Sequence, residues 1–244
     1  MFIKQHKPNI MYNLLKTALD GLLRLFYPKW CWVCQNDLVP GETDVCLACQ
    51  HQLPSTHFYR QPNNAVALRL RGRVPITAAA SVYFFSKSSA LQSLLHGLKY
   101  RNQPNLGVWL GRCMAYEATQ TNWFDGVDVL VPVPLSKSKQ RSRGYNQSAC
   151  LAEGISQVLQ IPVCTTVLVR HRNTATQTKK SRSERQRNVA GAFSVHQPSN
   201  LVNKQVVLID DVFTTGATLE ACLETLHTIP GIQLRVLTLA CAIE

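Results

Sequence analysis

The residues best suited to chemistry lie in one stretch, Val206-Val-Leu-Ile-Asp-Asp-Val-Phe-Thr-Thr-Gly-Ala-Thr218. An apolar run reads as a buried strand that delivers Asp210 and Asp211 to its end. The small residues Thr214, Thr215, Gly216, Ala217 and Thr218 then form a turn that opens a helix. Such a turn offers backbone N–H groups, hydroxyls and the positive end of a helix to a phosphate. Two adjacent carboxylates accept hydrogen bonds from vicinal sugar hydroxyls, or hold water on Mg²⁺. A diol reader beside a phosphate reader describes a site for a ribose 5-phosphate. The competing reading is an acid pair at a strand end that holds Mg²⁺ with no phosphate cradle, and the small-residue turn argues against it.

A second constellation stands near the N-terminus. Cys31-x-x-Cys34 and Cys46-x-x-Cys49 are two knuckles separated by 11 residues. Each CxxC turn puts two thiolates on one side of an ion, and two turns complete the tetrahedral shell of a structural zinc. A pair of redox CxxC motifs is the rival reading. Near four thiols, His51 and His57 read as ordinary surface histidines, and Cys113, Cys150, Cys164, Cys222 and Cys241 as small core residues.

Basic residues gather after two expected strands. Lys137, Lys139, Arg141 and Arg143 follow the first; Arg170, Arg172, Lys179, Lys180, Arg182, Arg185 and Arg187 crowd a longer irregular run with only Glu184 against them. Such runs read as solvated surface or as contacts for the backbone of single-stranded DNA. Tyr145 and Phe193 are the only aromatics near them in sequence, which leaves base stacking poorly supported. A net charge of +12 over 244 residues likewise predicts a polyanionic partner.

These groups need a scaffold, and an apolar fraction of 45% supplies a core for one α/β domain with a small appendage. Strands are expected at residues 76–85, 129–133, 162–169, 192–195, 206–209 and 232–240. Helices are expected at 88–100, 105–119, 145–159 and 217–227. Apolar strands alternating with helices predict a mostly parallel, doubly covered sheet whose ligands bind beyond the strands' carboxyl ends. The expected division is an amphipathic helix in residues 1–29, a zinc-binding segment at 30–54, a linker at 55–75 poor in periodicity, and the α/β domain at 76–244. Residues 12–26 read as a helix packed on the domain, with a peripheral membrane contact as the alternative. With no signal-peptide core or spanning segment read from the sequence, the expected compartment is the cytoplasm, where paired cysteines mean metal.

The strand, the two acids, two intervening residues and TTGAT resemble the phosphoribosyl pyrophosphate (PRPP) loop of type I phosphoribosyltransferases. The resemblance implies that fold, with Asp210 and Asp211 on ribose O2 and O3 and Thr214, Thr215, Gly216, Ala217 and Thr218 around the 5-phosphate. It places pyrophosphate near Lys137, Arg141 and Arg143, with Mg²⁺ accompanying PRPP, and makes the long basic run a mobile flap. Pro132-Val133-Pro134, Arg143-Gly144-Tyr145-Asn146-Gln147, Leu98-Lys99-Tyr100, Thr174-x-x-Gln177, Arg187-Asn188 and the four cysteines are similar to ComF-type proteins, the competence-associated branch of this fold. Longer members carry further cysteine pairs, whereas residues 50–112 here contain none. The implied functions are phosphoribosyl transfer to an acceptor the sequence does not identify, including nucleobase salvage, or PRPP sensing without turnover. The family also implies DNA uptake and natural transformation. Weak contact of single-stranded DNA with Lys179, Lys180, Arg182, Arg185 and Arg187, and association with uptake or recombination proteins, belong to the same expectation.

Overall fold

The computed structural model describes residue 21 and residues 29–87, 89–171 and 191–242. Apart from residue 21, the expected helix at residues 12–26 lies outside the described residues, as do Lys179, Lys180, Arg182, Arg185 and Arg187. The chain divides into two units, one ending at Gln52 and the other starting at Leu53.

The smaller unit is built around its cysteines. A bridge between Trp30 and Asp37 closes the first knuckle, and helix α1 (Leu47–His51) carries the second, with Cys46 at its N-cap and Cys49 within it. Among its described residues, Cys31, Leu38, Val45 and Cys49 are buried.

In the larger unit, four parallel strands form one sheet in the order β1 (Ala78–Phe84), β6 (Gln233–Cys241), β5 (Gln205–Phe213) and β2 (Val129–Pro132). The inner strands are near-continuous apolar runs, as expected of strands covered on both faces; Val206 through Ile209 and Val236 through Cys241 are all buried. The sheet is flanked by α3 (Ala90–Tyr100), α4 (Pro104–Ala118), α6 (Gln147–Leu159) and α7 (Ala217–His227). A Cβ on Gly111 would lie 2.1 Å from the carbonyl of Leu151, and one on Gly154 2.1 Å from that of Val108. Only glycine lets α4 and α6 approach so closely, and this crossing fixes the N-terminus of α6 against the sheet.

Two expectations need correction. Residues 55–75 are not a linker: a 3₁₀ turn (Phe58–Arg60) and helix α2 (Ala65–Arg71) occupy them, with Tyr59, Val66, Ala67 and Leu70 buried. Buried Asn64 organises the segment. Its Oδ1 accepts from the N–H groups of Val66 and Ala67, and its Nδ2 donates to the carbonyls of Phe58, Gln61 and Ala79. Arg73 then pairs with Glu220 of α7 at 2.8 Å. Nor do residues 162–169 form one strand. Val163 makes a single parallel bridge to Leu130. The chain then crosses over, and β3 (Leu168–Arg170) pairs antiparallel with β4 (Phe193–Val195) in a separate two-stranded sheet. Among the other cysteines, Cys113, Cys222 and Cys241 are buried, while Cys150 and Cys164 are only partly so.

Candidate functional site

Asp210 and Asp211 lie where β5 loses a neighbour. β2 pairs with β5 from Val206 to Ile209 and ends at Pro132, whereas β6 remains paired with β5 as far as Phe213. One edge of β5 is therefore open from Asp210 onward, and other elements reach the acids there. Successive strand side chains point to opposite faces, and the two acids have different partners. Ser148, in the first turn of α6, donates its hydroxyl to Asp210 Oδ1 at 2.9 Å, and the Asp211 N–H donates to the same oxygen at 2.9 Å. Lys99, near the end of α3, places Nζ 2.7 Å from Asp211 Oδ2. Burial, and then the neighbouring Asp211 charge, push the Asp210 carboxyl up to about 7, against the pull of its two hydrogen bonds and Lys99.

Beyond Phe213 the expected turn is present. Gly216 is the N-cap of α7, with φ 80° and no capping side chain. A Cβ there would also meet the Phe213 ring at 3.1 and 3.2 Å, so both conformation and space call for glycine. The first N–H groups of a helix lack intrahelical partners. Here they face a small hollow of about 50 Å³ lined by Asp210, Val212, Phe213, residues 214–218 and Leu219.

A larger cleft, of about 570 Å³, is lined by Lys99, Tyr100, Asn102, Lys139, Arg141, Ser142, Arg143 and Gly144. No carboxylate is among the described residues that line it. Helix α5 (Lys137–Arg143) provides three of its basic side chains, Lys139, Arg141 and Arg143, beside Lys99 of α3; Ser136 caps its start and Gly144, at φ 77°, ends it. Tyr145 binds this segment to the end of α3, its hydroxyl donating to the Leu98 carbonyl and accepting from the Gln103 N–H at 3.2 Å. Asn146 donates to the Val133 carbonyl and caps α6 through the Ser148 N–H. Residues 98–100 and 143–147, far apart in sequence, thus shape one cleft and aim Ser148 at Asp210. Lys139 feels the crowding: desolvation, then Arg170, Arg143 and Lys99, lower its pKa, with Asp211 opposing.

Of the basic residues expected around pyrophosphate, Arg141 and Arg143 line this cleft, whereas exposed Lys137 is not among its lining residues. Lys99 and Ser148 were missing from the sequence-based site, and Lys139 was read only as one of the basic residues after the first strand. The Leu-Lys-Tyr and Asn-Gln-Ser contexts were visible, but nothing local ties them to β5.

The four cysteines converge as expected. Their sulfurs all lie within 4.8 Å of one another, and Cys34 Sγ is 3.8 Å from Cys46 Sγ. Tetrahedral coordination with Zn–S of about 2.3 Å requires sulfurs about 3.8 Å apart. The N–H groups of Val33 and Cys46 donate to Cys31 Sγ at 3.4 Å each. Burial works against ionisation of Cys31, but these and other hydrogen bonds bring it down to about 7; burial and the adjacent thiols push Cys49 up. This cluster could hold a metal ion, and four sulfur donors at such distances fit zinc.

A parallel sheet carrying an acid pair and an uncapped small-residue turn at the carboxyl end of a central strand defines the phosphoribosyltransferase fold class. Residues 146–241 match the phosphoribosyl transferase domain model. Competence protein F of Haemophilus influenzae is 32% identical over 232 residues, covering 88% of this chain and 98% of that one. DNA utilization protein YhgH of Escherichia coli is 29% identical over 209 residues, covering 80% of this chain and 88% of that one. Competence protein ComFC of Bacillus subtilis is 28% identical over 196 residues, covering 78% and 75%. The chain belongs to the competence protein F (ComF) family. Among the described residues, no helix is long and apolar enough to cross a membrane.

Proposed function

We propose that the protein binds PRPP and transfers its phosphoribosyl group to an acceptor during DNA utilization or natural transformation. The observation that carries this reading is the pair Asp210 and Asp211, separately supported by Ser148 and Lys99, beside the uncapped start of α7. The acids accept from ribose O2 and O3, while Thr214, Thr215, Gly216, Ala217 and Thr218 cradle the 5-phosphate. Lys99, Lys139, Arg141 and Arg143 face the pyrophosphate, with Lys137 contributing at longer range. Mg²⁺, bound with PRPP, would neutralise further pyrophosphate charge. As the C1–O bond breaks, the electron pair leaves with pyrophosphate, C1 gains oxocarbenium character, and an acceptor lone pair forms the new bond on the opposite face. The protein's part is positioning and electrostatic stabilisation.

The role in DNA utilization comes to this chain from the names of its relatives and from its net charge of +12. Lys179, Lys180, Arg182, Arg185 and Arg187 would add salt-sensitive contacts to a single strand. Cys31, Cys34, Cys46 and Cys49 hold one structural zinc in this reading.

Calorimetric titration with PRPP and Mg²⁺, paired with a pyrophosphate-release assay over a panel of bases, nucleosides and DNA ends, tests the proposal. Binding should weaken by roughly one to two decades in Asp211→Asn and in Thr215→Val, the loss of a charge-assisted contact. Binding without pyrophosphate release from any acceptor would make the protein a PRPP sensor. No heat and no thermal shift at millimolar PRPP would sink the reading.

A further inference from the structure

The cleft beside the acids holds more than a pyrophosphate needs. At about 570 Å³ it falls within the range of nucleotide-sized pockets. Its cations come from two helices, Lys99 from α3 and Lys139, Arg141 and Arg143 from α5. Pyrophosphate would use those charges, but it has no use for the aromatic ring on the rim. That ring is Tyr100, 68% exposed at the last position of α3. It is held rather than loose: the His96 ring sits 4.9 Å away one turn back, and the Arg143 guanidinium lies 5.7 Å from its centroid. A pre-positioned ring loses little conformational freedom on binding. The two aromatics expected near the basic clusters offer no such face. Phe193 is buried, and the Tyr145 hydroxyl is committed to the end of α3.

An exposed aromatic in a cleft lined by four cationic side chains matches the two parts of a single strand: a base to stack and phosphates to neutralise. A duplex fits less well, because its bases are already stacked on one another. We propose that Tyr100 is the base-stacking platform of a single-stranded DNA site, with Lys139, Arg141 and Arg143 taking the adjoining phosphates. This rests on the reading that the protein handles single-stranded DNA, and it locates that contact on the described cleft rather than only on the basic run at residues 179–187.

The test is fluorescence anisotropy with a short labelled oligothymidylate and an abasic strand of equal length, at matched salt. Wild-type protein should prefer the strand with bases by about ten-fold, the effect of one good stack. Tyr100→Ala should erase that preference while leaving abasic binding intact, and Tyr100→Trp should retain it. Equal wild-type affinity for the two strands, or a preference that survives Tyr100→Ala, would overturn the proposal. The thermal shift with PRPP and Mg²⁺, read on the same samples, should match in wild type and Tyr100→Ala. Its loss in the variant alone would make Tyr100 part of the pyrophosphate site and overturn the proposal as well. Its absence from both would refute PRPP binding and leave the base preference as an independent result.

Discussion

Replacing Lys99 by Met keeps most of the side chain's length and removes its charge. In the wild type the ammonium lies 2.7 Å from Asp211 Oδ2, with 24% of the Lys99 side chain and 17% of the Asp211 side chain exposed. At that distance the gross attraction is about 6 kcal/mol for an effective dielectric of about 20. Desolvation and the ordering of a long side chain offset most of it. A net loss of about 1–2 kcal/mol remains, lowering the melting temperature by roughly 2–8 °C in a domain of this size. The loss should depend on pH, because Lys99 also acts on Asp210, whose carboxyl is raised to about 7. At about pH 5 Asp210 is protonated, so the variant has lost only the partner of Asp211. At about pH 8 Asp210 is ionised too, and the two carboxylates repel with no ammonium between them, so the deficit grows. PRPP should bind roughly 10- to 100-fold more weakly, because one of the cations facing its pyrophosphate is gone. Differential scanning fluorimetry at the two pH values and calorimetry with PRPP and Mg²⁺ measure both effects. A pH-independent deficit together with unchanged or tighter PRPP binding would show that Lys99 is an ordinary surface cation.

Gly216→Ala combines a positive φ, worth about 1–2 kcal/mol for a residue with a Cβ, with contacts of 3.1 and 3.2 Å to the Phe213 ring. Melting should fall by several degrees, and PRPP affinity by more than that of a variant equally destabilised elsewhere, as calorimetry would report. Asp210→Asn keeps an oxygen for the Ser148 hydroxyl and the Asp211 N–H. Because the folded carboxyl is raised from 3.8 to about 7, wild-type stability should fall as pH rises from about 4 through about 7, and the variant should lack that component. The variant should therefore melt above wild type at about pH 8 while binding PRPP less well; parallel pH profiles would refute the assignment. Protein purified under reducing conditions should carry close to one zinc per chain by elemental analysis, and Cys46→Ser should lose it more readily to a chelator. Metal-free protein with an intact first unit would refute the structural-zinc reading.

The legible parts of the sequence were the contiguous ones. Thirteen consecutive residues, Val206 to Thr218, held a strand, an acid pair and a turn, and the fold keeps that order. The cysteine knuckles were equally local, and their sulfurs meet. The cationic cleft was not legible, because its halves are the end of α3 and residues Lys139, Arg141, Ser142 and Arg143 of α5, some forty residues apart. In isolation Lys99 reads as a cation complementing a helix C-terminus, and Tyr100 as one surface aromatic among several. Residues 55–75 misled for another reason. Helix α2 is seven residues long with Arg69 and Arg71 at its end, so its apolar face reduces to Val66, Ala67 and Leu70. The buried residue that organises it, Asn64, is of a type that usually marks a loop. Residues 162–169 are rich in strand formers, but which sheet they join depends on partners far away in the chain.

The different partners of the two acids bear on how a polyanion can be held beside them. Two full negative charges at the mouth of a phosphate site would repel the ligand they are meant to hold. Asp211 has its charge matched by Lys99 at 2.7 Å. The donors to Asp210 among the described residues are neutral, the Ser148 hydroxyl and a backbone N–H, and burial with the adjacent Asp211 charge raises its carboxyl to about 7. In either state it can engage a sugar hydroxyl, accepting when ionised and also donating when protonated. The resting pair thus carries less than two unit charges, one of them already matched. Lys139 shows the other half of this balance, since neighbouring cations make its own charge harder to keep until an anion arrives. Phosphate entering the cleft would relieve Lys139, and a ribose hydroxyl that donates to Asp210 would favour its ionised form. Binding near neutral pH should then release protons at Asp210, whose carboxyl is raised to about 7 in the free protein. Calorimetry repeated in buffers of different ionisation enthalpy should accordingly give heats that vary with the buffer, whereas equal heats would show that Asp210 does not change state on binding.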